Sequence, residues 1–93
     1  MDKLETYYPG DDKWITFVDV HAKDYKDEDA YQLSRLINGH LDVAIIVYGK
    51  LGMNAASEWM TRKIPALDDL RPVDCLENET LLKRLKTVLM RMP

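Results

Sequence analysis

A chain of 93 residues, 46% hydrophobic and 31% charged with a net charge of −3, has room for one domain and one modest core. That composition excludes intrinsic disorder. No apolar run approaches the roughly 20 residues that span a bilayer, and the charged N-terminus lacks the apolar stretch of a signal peptide, so a cytoplasmic protein without a membrane partner is expected. The single cysteine, Cys75, excludes an internal disulfide and a cysteine-based zinc site.

Charge is unevenly spread. Residues 1–30 hold four lysines against nine acids, a balance of −5, while residues 31–93 hold nine basic residues against seven acids, a balance of +2. An acidic arm repels phosphate backbones, and residues 1–40 contain one arginine, Arg35. No tight, sequence-specific DNA binding by this chain alone is expected. Nanomolar, salt-sensitive binding to a defined duplex is the result that contradicts it.

Residues 1–11, with Tyr7, Tyr8, Pro9 and Gly10 among charges, read as an extended or turn-rich tail. From Asp12 the recurrence of Trp14, Phe17, Val18, His21 and Tyr25 is helical, with Asp11 or Asp12 as cap. Ile15 to Val18 also suits a short strand, and helix is the favoured reading. Leu33, Leu36, Ile37, Leu41, Ala44, Ile45 and Tyr48 then mark one face of a long helix beginning near Asp27 to Asp29. Gly39 inside it costs ~1 kcal/mol relative to Ala, or marks a kink or a break into two helices. Gly49 is the expected stop, and Asn54 the cap of a following helix that buries Ala55, Ala56, Trp59 and Met60. After a connector containing Pro65 and Pro72, Asn78 caps a last helix with Leu81, Leu82, Leu85, Val88, Leu89 and Met92 on one face. These segments give an N-terminal helical region at 12–40, with no convincing helix-turn-helix, and a second region at 41–93. The expected fold is all-α: a small bundle of four to five helices, with a core including Leu36, Ile45, Trp59, Leu67, Leu76, Leu85 and Leu89.

Catalysis needs convergent groups, and few are legible. His21 and His40 lie on separate segments without an HExxH or a cysteine pair, so no metal, cofactor or catalytic residue is assigned and the chain is read as no enzyme. Cys75 reads as a small buried hydrophobe. The acidic run at 24–29 lacks the glycine and bidentate glutamate of an EF-hand, and Gly49-Lys50-Leu51-Gly52 reads as a helix stop rather than a phosphate-clamping loop.

The most informative stretch is residues 58–76, EWMTRKIPALDDLRPVDCL. Proline fixes φ and removes a donor, so Pro65 ends one helix and Pro72 opens a turn of the next, with apolar Ala66, Leu67 and Leu70 packed between them. Trp59, Pro65, Ala66, Leu67, Pro72, Asp74 and Leu76 closely resemble the signature of the toxin-binding domain of Xre/MbcA/ParS antitoxins: a Trp, a Pro-Ala-Leu loop, then a second Pro followed by an acid and a Leu. The resemblance covers roughly residues 41–92. It departs where Asp68-Asp69-Leu70 replaces the usual Gly-Gly-Arg, and where Met92-Pro93 replaces a Gly-ended tail. It implies an antitoxin of a type II toxin–antitoxin module that binds and obstructs a NAD-consuming RES-type toxin. Relatives often repress their own operon, so a DNA-binding regulator is the alternative, with a solitary interaction module as a third. Self-association stays open as a source of further contacts. By analogy with relatives whose C-terminal end reaches the toxin, the implied partner contacts are Arg71, Arg84, Arg91, Met92 and Pro93.

Overall fold

The computed structural model describes residues 4–92. Among them are five α-helices and no strand: α1 Asp11–Tyr25, α2 Glu28–Leu36, α3 Leu41–Leu51, α4 Met53–Met60 and α5 Glu79–Arg91. Short 3-10 turns lie at Leu4–Tyr7, Pro65–Leu67 and Pro72–Cys75. The all-α expectation holds, and the residues that also suited a strand, Ile15 to Val18, are helical.

Helix α3 is the centre. Its mean composition is apolar, Val43 through Val47 are all buried, and α1, α2 and α4 pack around it. Trp14 of α1 is 2% exposed, and its indole N–H donates to Asp42 Oδ2 at 2.9 Å while the other oxygen of Asp42 accepts from the Val43 amide at 2.8 Å. One carboxylate thus joins α1 to the first turn of α3. Lys86 from α5 lies over the same indole, 5.2 Å from the ring centroid, a cation–π contact that ties in the last helix.

Several boundaries differ from the sequence reading, each for a local reason. Of the readings open at Gly39, the break into two helices is the one found: Asn38 (φ 60°) and Gly39 (φ 81°) both take left-handed backbone, and the Gly39 amide closes back onto the Ser34 carbonyl at 2.7 Å. Ile37 continues the buried face of Ala30, Leu33 and Ser34 at 2% exposed, while Leu36, expected in the core, falls off that face at 66% exposed. Gly49 does not stop α3, which ends at Leu51 before Gly52 (φ 80°). Gly49 is there for a close approach instead, since a Cβ at that position would sit 2.8 Å from the Tyr25 ring. Asn54 lies inside α4 and Ala55 is exposed, whereas Ala56 and Met60 are buried. Asp11 and Asp12 fall in the first turn of α1, whose cap residue is Gly10. Asp27 and Asn78 cap α2 and α5 with their side chains, accepting from Ala30 and Leu81 respectively.

The connector between α4 and α5 is folded tightly. Ile64 pairs with Leu70 as an isolated antiparallel bridge, and the Asp68-Asp69 corner carries two consecutive left-handed residues, φ 56° and 63°. Aspartate tolerates this backbone better than most residues but not as well as glycine. Asp69→Gly is expected to stabilise the domain: it relieves about 1–2 kcal/mol of strain and adds back roughly 0.5–1 kcal/mol of entropy cost, for a rise of a few degrees in Tm. Asp69→Ala should lower Tm. Thermal melts of the two variants, read by circular dichroism at 222 nm, check the pair.

Candidate functional site

Helix α4 buries Ala56 and Met60 against the core, and this rotation leaves Trp59 half-buried on a neighbouring face. Trp59 was expected inside the core; it packs against the core's edge and lines an open apolar groove of about 350 Å³. Ile64 and Ala66 of the connector form a second wall, and Val88, Arg91 and Met92 of the last helix a third. Leu4 of the N-terminal turn forms a fourth.

The connector can hold this wall because its buried residues anchor it. Pro65 sits in the first position of its turn and leaves Ala66 exposed to the groove, while Leu67 beside it is fully buried. Pro72 likewise opens its turn and is buried, with Cys75 and Leu76 packed behind it. Asp74 accepts a two-pronged hydrogen bond from Arg71, Nε to Oδ2 at 2.8 Å and Nη2 to Oδ1 at 3.0 Å. That bond holds the Asp74 carboxyl below its ordinary range and the Arg71 guanidinium above its own. Burial pushes the Cys75 thiol up, which suits a packing residue better than a nucleophile.

The five residues implied as partner contacts are placed very differently. Arg91 and Met92 line the groove. Arg91 is exposed, with its guanidinium carbon 4.9 Å from the centre of the Tyr7 ring, and the Met92 carbonyl accepts from Lys50 Nζ at 2.7 Å, which fixes the end of α5 against α3. Arg71 is exposed but outside the groove lining, engaged with Asp74. Arg84 is only 7% exposed. Its Nε and Nη2 donate to the two oxygens of Glu5 at 2.9 and 3.0 Å, and Nη1 donates to Asp68 Oδ2 at 2.8 Å. It is an internal clasp joining α5, the connector corner and the N-terminal turn, and Glu5 holds its guanidinium above the ordinary range. Pro93 lies outside the described residues.

Sequence reasoning missed Leu4 and Glu5 as parts of this region. Glu5 and Arg84 are 79 residues apart, and no local pattern links them. Ile64 and Val88 carried weak signals, the first as an apolar residue before Pro65 and the second in the periodicity of α5.

Other chemistry is sparse. Among the described residues no group of His, Cys, Asp and Glu side chains is arranged to hold a metal ion, and no helix is long and apolar enough to cross a membrane. The α2–turn–α3 pair has the sequence spacing of a DNA-reading motif, but α3 buries five consecutive residues and both of its charged residues are engaged, Asp42 with Trp14 and Lys50 with Met92. Helix α3 is thus packed among α1, α2 and α4 as the centre of the bundle.

The family model of the antitoxin Xre/MbcA/ParS C-terminal toxin-binding domain matches residues 44–92, just over half of the chain. The chain belongs to that antitoxin family. Every groove-lining residue except Leu4 falls inside the matched toxin-binding domain. Neither the curated proteins nor the solved structures compared with the chain include a significant match.

Proposed function

We propose that this chain is the antitoxin of a type II toxin–antitoxin module and neutralises its toxin, a NAD-consuming enzyme of the RES type, by seating part of it in the groove lined by Trp59, Ile64, Ala66, Val88, Arg91 and Met92. The chain acts by occupancy and not by catalysis, in the cytoplasm where NAD is consumed. The observation that carries the reading is that the toxin-binding domain presents Trp59 and Ala66, the Ala of its Pro-Ala-Leu loop, at an open apolar groove and not in the core. Apolar area left unburied at a rim of charged side chains is what a protein interface uses. The RES assignment is supported by the resemblance alone, and Arg71 at the neighbouring turn is a second-rank contact.

The test is co-expression with the product of the adjoining reading frame. Full-length chain should restore growth, hold the cellular NAD pool near its uninduced level and co-purify with the toxin. Ala66→Arg, which places a long charged side chain at the groove wall, should abolish all three while the variant itself stays folded. Growth rescue without NAD loss in the toxin-only control removes the RES assignment and leaves the antitoxin role. No rescue and no complex with the wild-type chain removes both.

A further inference from the structure

The groove has a wall from outside the family-matched segment. Leu4 lines it, and the turn that carries Leu4 is tied down at two more points. Glu5 makes its two-pronged bond to Arg84, and the Tyr7 ring lies under the Arg91 guanidinium. The turn therefore walls one side of the groove and lies, through Tyr7, against Arg91 of α5, the only charged side chain of the lining among the described residues. That charge stands out among its neighbours. Arg62, Arg71 and Arg84 each have a carboxylate within ion-pair distance, whereas Arg35 and Arg91 have none among the described residues, and of these two Arg91 lines the groove.

We infer that the N-terminal turn Leu4–Tyr7 is part of the toxin-binding surface, and that the toxin segment it receives brings an apolar side chain to the groove and a carboxylate to Arg91. The inference rests on the antitoxin reading above. A groove of about 350 Å³ lies at the low end of the roughly 300–1,000 Å³ of ligand-sized sites, so it takes the side chains of a short segment and not a whole helix. An arginine steadied on an aromatic ring keeps its planar fork of N–H donors for a carboxylate, and loses less freedom on pairing than a solvated one. Its apolar neighbours strengthen that bond once the partner has expelled water. Glu5 and Arg84 act as positioning residues: they fix the turn, and the turn fixes Leu4 and Tyr7 at the groove.

Isothermal titration of the purified full chain with a catalytically inactive form of the adjoining gene's product tests this, with melting followed in parallel. Ala66→Arg should abolish binding. Leu4→Asp and Arg91→Gln should each weaken it at least tenfold with Tm nearly unchanged, Arg91→Lys should lose less, and the wild-type affinity should fall with added salt more steeply than that of Arg91→Gln. If Leu4→Asp and Arg91→Gln bind within threefold of wild type while Ala66→Arg does not bind, this inference fails and the antitoxin reading stands. If the wild-type chain does not bind, both fail. A dimer of the free chain in sedimentation that Leu4→Asp disperses would assign the groove to a second copy and overturn the inference.

Discussion

Trp14→Ala should lower the melting temperature of this domain far more than Trp59→Ala does. Removing a large buried aromatic side chain costs about 3–5 kcal/mol, because transfer energy is lost and the cavity collapses only in part. A domain of this length has roughly 5–14 kcal/mol in total. Trp14 is 2% exposed and also donates the hydrogen bond that holds Asp42 at the start of α3, so its loss leaves that oxygen without its partner as well. The expected fall in Tm is on the order of 15–30 °C. Trp14→Phe, which keeps most of the volume and loses the bond, should fall between the variant and wild type. Trp59 is half-buried at the groove, so Trp59→Ala forfeits less burial, about 1–2 kcal/mol, and its main effect should be on toxin affinity. Differential scanning calorimetry of the three variants checks the order. Equal losses for the two tryptophans would return Trp59 to the core and remove the groove's most distinctive wall.

The exchange of roles between the two tryptophans shows where reading the chain stops. Periodicity says which residues share a helix face, and it placed Leu85 and Leu89 correctly in the core of α5. It does not say which segment covers a face. Trp14 and Trp59 both sit in helical patterns, and only the packing of α5 and α3 over the first leaves the second at the edge. Leu36 and Ile37 differ by one position and both fit the apolar periodicity, and only the packing of the Ala30, Leu33 and Ser34 face shows which one is buried. The prolines and Asn78 were legible because their effects are local: a fixed φ, a missing donor, a cap within three residues. Of the groove, the family signature pointed to Trp59 and Ala66, and Arg91 and Met92 came from analogy with relatives. The clasp that closes it was invisible, since a charge in a periodic run looks like a solvated face until a carboxylate 79 residues away is found against it.

Glu5→Ala and Arg84→Ala should be the most damaging single changes at charged positions, the first more than the second. Burying an ion pair contributes little net stability, because desolvation opposes the attraction, but deleting one member leaves the other dehydrated and costs about 3–5 kcal/mol. Glu5 keeps only 12% of its side-chain surface and Arg84 9%, so the bond between them lies out of solvent, whereas Asp68 keeps 78%. The two halves of the pair are not equivalent. Glu5 sits on a short terminal turn that can swing into water when Arg84 is lost, so Arg84→Ala should fall at the low end of that range and detach the turn. Arg84 is fixed in the middle of α5, so Glu5→Ala leaves two of its donors facing protein with only Asp68 still bonded. The double variant Glu5→Leu with Arg84→Met removes both charges at similar volume and should recover most of the loss, giving a strong coupling energy in a double-mutant cycle. High salt should leave the cycle almost unchanged, as expected for a pair out of solvent, whereas the exposed pair Arg62–Glu58 should contribute little at any salt. Urea denaturation of the four chains at low and high salt reads all of this. Additive single losses would mean that Glu5 and Arg84 are not coupled, and the N-terminal turn would then have no clasp to hold it at the groove.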